Sequence, residues 1–250
     1  MNRSTVFFKT ACFKLLLIAE SLTRMINTTP HISSELERSL TEIAQDVLTI
    51  ASRARSALAE ATKGFLERDN DICNAVIAND DIVDELDDSI NRKAMEVLLI
   101  FRPVAVDMRT TLASLRLSSA FERIGDESVS IARLALRLNQ AKKHPNAESL
   151  EGLMVKTRRH FEDSLISFTE KDIELARQSI SASKELHVQI EESINHHGVS
   201  LNHPEQNDPQ VVIDLLMIIR SLGNILGYSE VVCNEMIFLS EDINEQLKPD

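Results

Sequence analysis

Two short internal matches limit the fold before any other property is consulted. FLERD at Phe65–Asp69 is echoed by FTEKD at Phe168–Asp172, 103 residues later, and DDSIN at Asp87–Asn91 by EESIN at Glu191–Asn195, 104 residues later. Either match alone is weak. Their shared offset, with one inserted residue, describes a diverged duplication, so the second half must repeat the arrangement of the first.

The repeated unit reads as helix. Ile72, Val76, Val83, Leu86, Ile90, Ala94 and Val97 recur mostly three or four residues apart, which places them in one stripe of a helix. Gly and Pro together supply only 12 of 250 residues, too few for a turn-rich barrel or sandwich. Boundaries follow from punctuation. Ser34 and Glu37 form an S-x-x-E capping box that opens a helix running to about Leu66, and Arg68–Asp71 interrupts before a second helix ending near Phe101. Pro103 suits the first turn of a third helix that reaches about Leu138. The polar stretch Asn139–Glu148 divides the halves. Helices are then expected over about Ser149–Phe168, Asp172–His197 and Pro209–Glu245, the last with Asp208 as its N-cap. The expectation is an all-α protein of tandem antiparallel three-helix bundles, packed together rather than hinged. Residues 1–30 form an N-terminal helical arm, 31–141 the first repeat and 147–247 the second, diverged one.

Charge and residue types exclude several function classes. A net charge of −12 opposes nonspecific binding to nucleic acid or anionic lipid, and with no Trp and one Tyr there is no stacking platform. A short basic patch at Lys156, Arg158 and Arg159 has a ready structural role at a helix end. Cys12, Cys73 and Cys233 form neither a zinc pattern nor a disulfide framework and read as reduced thiols. The apolar interval Val6–Leu22 is broken by Lys9, Lys14 and Glu20, and its Leu15–Ala19 run is too short for a membrane span. A cytoplasmic location is therefore expected. The seven histidines make no HExxH or paired E-x-x-H pattern and suit surface or terminal positions; phosphate loops and nucleophile elbows are absent.

Acidic residues supply the one chemical signal. Between Glu67 and Glu96 stand ten acidic residues against three basic ones. Asp80 and Asp84, four apart, share a helical face, where their repulsion calls for a cation or a basic partner. Met108, Leu112, Leu115, Ser119, Glu122, Asp126 and Val129 form one stripe on the third helix, which carries Glu122 and Asp126 toward a bundle seam, with Asp107 beside it. Carboxylates at a seam must be paired, protonated or metal-bound. Three readings stay open: a solvated acidic face, an oxygen-rich site for Mg, Mn, Ca or iron, and a salt-bridge ladder using Arg109, Arg116 and Arg123 at seven-residue intervals.

The longer motifs are more specific. NDDIVDELDDSI (Asn79–Ile90), LLIFRPVAVDMR (Leu98–Arg109) and SSAFERIGDESVSIA (Ser118–Ala132), in this order, resemble the PhoU family of bacterial phosphate-uptake regulators over roughly His31–Leu247. The resemblance implies tandem three-helix bundles, a possible homodimer, and E/D-x-x-x-D patterns that hold multinuclear divalent or ferric clusters, a metal-free state being equally open. By position its ligands would be Asp80, Asp84, Asp107, Glu122 and Asp126. It further implies a non-enzymatic cytoplasmic adaptor that restrains phosphate uptake or phosphate-starvation signalling. Its partners would be a phosphate-transporter ATPase and a phosphate-sensing histidine kinase, with the membrane reached only through them and no nucleic acid bound. Departures are local. Glu127 replaces the histidine familiar after GD, and in RSLGNILGYSEVV the residues Asn224, Gly227 and Tyr228 stand at the places of Glu122, Gly125 and Asp126, so the second acidic cluster is expected to be lost. A metal-free interaction scaffold and a metal-binding bundle unrelated to phosphate are the alternatives.

Overall fold

The computed structural model describes residues 34–141, 147–203, 205 and 208–240, so the expected N-terminal arm, the centre of the inter-repeat linker and the last ten residues lie outside it. Within those residues every long proline-free run with three-and-four apolar spacing is helical, and no strand occurs. The first bundle consists of α1 (Ser34–Glu67), a second arm made of α2 (Asn70–Ala78), α3 (Asp80–Glu96) and a π-turn over Val97–Phe101, and α4 (Val106–Asn139). The second consists of α5 (Ala147–Glu170), α6 (Ile173–Val199) and α7 (Pro209–Ser240), with a 3₁₀ turn at Ser200–Asn202. This is the six-helix, two-bundle architecture expected.

The duplicated motif builds one corner twice. Arg68 and Lys171 both take left-handed backbone (φ 54° and 56°), and the next residue, Asp69 or Asp172, caps the following helix with its carboxylate. Asp69 N–H donates to the Gly64 carbonyl at 3.0 Å, and Asp172 N–H to the Ser167 carbonyl at 2.9 Å. Gly64 is needed here, because a Cβ would lie 2.6 Å from the Cys73 Sγ.

Three helix starts and one stripe differ in detail. Ser34 is itself helical, so it does not stand at the cap position expected of it. The expected second helix breaks at Asn79, the residue between α2 and α3. Pro103 is buried in a loop and α4 begins only at Val106, because Arg102 (φ 47°) and Ala105 (φ 48°) lie in the left-handed region and no helix passes through them. On α4 the buried face runs through Thr111, Ser114, Ser118, Phe121, Gly125, Ser128 and Ala132, and the expected stripe lies along its edge, with Ser119 and Asp126 exposed. The shift has a cause. α4 packs against both α1 and α7, so its buried surface is wider than one seam and includes small hydroxyl residues that bond back to their own helix, as Ser128 does to the Ile124 carbonyl.

One apolar core crosses both bundles, with Phe121 of α4 and Phe161 of α5 at 6.3 Å between ring centroids. The arginines of α4 close the seam with α7. Arg109 donates to the Phe238 carbonyl (2.7 Å) with its guanidinium 4.5 Å from that ring, Arg116 pairs with Glu235 (3.1 Å), and Arg137 holds Asp214 through two bonds of 2.6 and 3.1 Å. Arg116 thus pairs with an acid, as the ladder reading expects, whereas Arg109 is seated on a carbonyl and an aromatic ring. By length and mean hydropathy (1.6) α7 alone among the described helices could cross a membrane, yet 56% of that window is buried, as in the core helix of a bundle.

Candidate metal centre

The acidic site forms where α3 crosses α4. Asp80 stands in the first turn of α3 and Asp84 one turn on; Glu122 and Asp126 repeat the spacing on α4. Gly125 sets the approach. A Cβ there would lie 3.3 Å from Val83 Cγ1, so the missing side chain lets α3 close in and brings the neighbouring acids face to face. One carboxylate oxygen each of Asp80, Asp84 and Asp126 lies within 4.8 Å of the others. Asp80 is half-buried and the other two are exposed, so the trio is open to solvent on one side.

Electrostatics mark the site as short of positive charge. The Asp80 carboxyl is raised above its ordinary range by burial first, then by Asp84 and Asp126; Arg133 opposes this only weakly, at 3.9 Å. Burial, then Asp126, raises Asp84. Glu122 is pushed up to about 7 by burial, then by the charge of Asp126, with which it shares a hydrogen bond; Arg123 pulls the other way. An all-oxygen set of three converging carboxylates with a fourth at its edge fits a hard or borderline cation, and a divalent or trivalent ion would remove the repulsion that these shifts record.

Of the five residues expected from sequence, four share this region and one does not. Asp107 is buried at the start of α4, 8% exposed, with its carboxyl raised by burial alone. Nineteen residues of helix separate it from Asp126, about 28 Å of rise, so both cannot touch one ion. Asp107 entered the expected set through its position in the family motif, which carries no axial distance. Glu127 also has another use: it accepts a 2.7 Å bond from Asn224 of α7 and ties the bundles together.

The second bundle carries a different polar pair between α6 and α7. His187 lies 103 residues after Asp84 and Glu230 lies 104 after Asp126, and the His187 Nε2 stands 3.0 Å from the Glu230 Oε1. Among the described residues no second group of three such ligands converges. Two histidines expected at the surface are buried: His197, and His160, whose Nε2 faces the Ser179 carbonyl at 3.0 Å. Burial holds the His160 imidazole below its ordinary range, hence neutral near pH 7.

Comparison with known proteins finds relatives in sequence and in fold. Residues 47–135, which span α1 to α4 and include the whole acidic site, match the family description "PhoU domain". The phosphate-specific transport system accessory protein PhoU homolog 1 of Thermotoga maritima is 24% identical over 209 residues, covering 83% of this chain and 90% of its own. A homolog from Caulobacter vibrioides is 29% identical over 149 residues, 59% of this chain and 65% of that one. Among solved structures, PhoU from Pseudomonas aeruginosa superposes with a TM-score of 0.76 at 18% identity, covering 81% of this chain and 97% of that one. The phosphate transport system regulatory protein PhoU from Streptococcus pneumoniae gives 0.72 at 18%, over 86% and 100%.

Proposed function

The chain belongs to the PhoU family, and on that premise we propose that it is a cytoplasmic adaptor restraining phosphate uptake and phosphate-starvation signalling through a phosphate-transporter ATPase and a phosphate-sensing histidine kinase. The family places it among non-catalytic regulators of phosphate transport and signalling. The observation that carries the reading is the family match over 47–135 combined with a fold shared along more than four-fifths of the chain. Contact with the membrane would run through those partners. The two repeats would span 31–141 and 147–247, and self-association as a homodimer would present both bundles twice.

Metal belongs to this proposal as a structural ligand. Asp80, Asp84 and Asp126 would hold a divalent or ferric ion, with Glu122 at the edge of the site as a further ligand for a second ion or as a proton-carrying partner of Asp126. Bound there, the ion would tie α3 to α4 and neutralise the repulsion between them.

Affinity purification from cells grown at high and low phosphate tests the regulatory role. The transporter ATPase or the sensor kinase is expected to co-purify, and deletion is expected to derepress phosphate-responsive transcription. Unchanged phosphate uptake and unchanged transcription after deletion would overturn it.

A further inference from the structure

Inside the second bundle, four buried residues form a polar junction between three helices. Ser179 of α6 stands at its centre. Its carbonyl faces the His160 Nε2 of α5 at 3.0 Å, and its side chain and that of Ser167 lie in hydrogen-bond reach of the Cys233 thiol of α7. His160, Ser167, Ser179 and Cys233 are 7%, 0%, 6% and 0% exposed. A carbonyl only accepts, so Nε2 carries the proton of the neutral ring and Nδ1 is left as a lone pair. Among the described residues nothing bonds that Nδ1, although the atom is buried. Beyond the junction, the end of the bundle is held by a small apolar cluster of its own, Ala176, Cys233 and Met236 with Phe168 and Ile173 packed against it. Phe168 and Ile173 flank the left-handed corner at Lys171.

We propose that His160 is a proton-operated latch: the neutral ring ties α5 to α6 and keeps the Cys233 end of the bundle closed, and the protonated ring releases it. The geometry supplies the mechanism. A proton added to Nδ1 creates a second N–H donor where no acceptor stands, and it charges a ring that is 7% exposed. Opening the bundle end gives that N–H water instead. The titratable groups whose fields reach the ring come from all three helices: Asp163 on α5, His187 on α6 and Glu230 on α7. Burial is the largest influence and holds the imidazole below its ordinary range; the Ser179 carbonyl and the two acids oppose it, and His187 adds to it. The closed state therefore binds fewer protons than the open one. Closure is complete above the ordinary histidine range and weakens as pH falls through it toward the lowered value. Cys233 reports the state, because burial pushes its thiol up to about 11 and hides it until the bundle end opens.

Thiol modification tests this in the full chain. Cys12→Ser is carried throughout, so that Cys73, fully buried in the first bundle, is the internal control. His160→Gln keeps an N–H for the Ser179 carbonyl and does not titrate. At each pH the modification rate of the chain with His160 is divided by that of His160→Gln, which removes the thiol's own pH dependence. From about pH 7.5 to about pH 5.5 this ratio should rise by up to about tenfold at Cys233 and stay within about twofold at Cys73. The raised carboxyls of the metal centre act in the opposite sense on global stability, which is why the local ratio and not a melting temperature is read. A change of less than about twofold at Cys233, or an equal rise at Cys73, would overturn the proposal. A second measurement holds even where His160→Gln does not fold. Nuclear magnetic resonance of the imidazole nitrogens should show His160 as the Nε2–H tautomer at about pH 7.5, titrating below about 6.5. The Nδ1–H tautomer, or titration at or above that value, would equally overturn it.

Discussion

Replacing Arg137 with Met should destabilise the protein more than replacing its partner Asp214 with Asn, although both changes delete the same ion pair. The two side chains are unequal in burial: that of Asp214 is 3% exposed and that of Arg137 is 56% exposed. Without Arg137 the carboxylate stays in the α4–α7 seam with the neutral amide of Gln210, at 2.8 Å, as its remaining partner. Orphaning a buried charge costs on the order of 3–5 kcal/mol. Water already reaches the guanidinium side, and Gln210 keeps its bond, so about 2–3 kcal/mol is expected here. With Asp214→Asn, by contrast, the arginine head returns to solvent and the introduced amide oxygen can still accept, for a loss of about 1 kcal/mol. At roughly 2–4 °C per kcal/mol for a chain of this size, Arg137→Met should lower the melting temperature by about 4–12 °C and Asp214→Asn by about 2–4 °C. Thermal unfolding followed by circular dichroism at about pH 7.5 with a chelator present measures both. The double change Arg137→Met, Asp214→Leu should recover much of the first loss, because no charge is then left buried. Equal single losses, or a double variant worse than Arg137→Met, would refute the claim that the buried carboxylate rather than the bond itself decides the cost.

Three further outcomes follow from the site and the corners. Glu122→Gln with Asp126→Asn should abolish most metal retention, measured by elemental analysis and titration, while circular dichroism shows helix content unchanged. In chelator, the raised carboxyls of Asp80, Asp84 and Glu122 give a definite sign: the stability they contribute is complete below their unfolded-state values. It is lost as pH rises through the folded-state values, up to about 7 for Glu122. The metal-free protein should therefore melt higher at about pH 5 than at about pH 8, and Glu122→Gln should flatten that slope. Asp69→Ala and Asp172→Ala should each cost about 0.5–2 kcal/mol by chemical denaturation, and by similar amounts, since each removes the cap of the same duplicated corner.

How much of this was legible in the sequence depended on whether the signal was local. The FLERD and FTEKD match could be read because it encodes one turn, a left-handed residue followed by a capping aspartate, and both parts lie within five residues. The Asp208 cap of α7 was legible for the same reason, its carboxylate accepting from Gln210 N–H at 2.9 Å. Asp80, Asp84, Glu122 and Asp126 were legible as two i, i+4 pairs. That the pairs meet was not, because the meeting depends on α3 closing on Gly125. Asp107 joined the expected set through motif position, and the length of α4 separates it. The partners of Arg116 and Arg137 stand 119 and 77 residues away in the chain, with nothing in their local spacing to point to Glu235 or Asp214.

The two repeats therefore share a scaffold and differ in how they satisfy charge. At the α3–α4 crossing the carboxylates outnumber the nearby basic groups, Arg123 beside Glu122 and Arg133 at 3.9 Å from Asp80. Between α6 and α7 in the second bundle, Glu230 faces the His187 imidazole at 3.0 Å, and no group of three acidic ligands converges there among the described residues. A cation added to the protein stabilises whichever state binds it, by an amount set by its concentration over its dissociation constant. That linkage acts on the first bundle alone if the cation binds only at Asp80, Asp84 and Asp126. The shared core carries its consequence further. A tighter α3–α4 contact would bear on the helix whose other face packs on α7 through Arg116 and Arg137 and on α5 through Phe121, so the second bundle would receive the effect through packing.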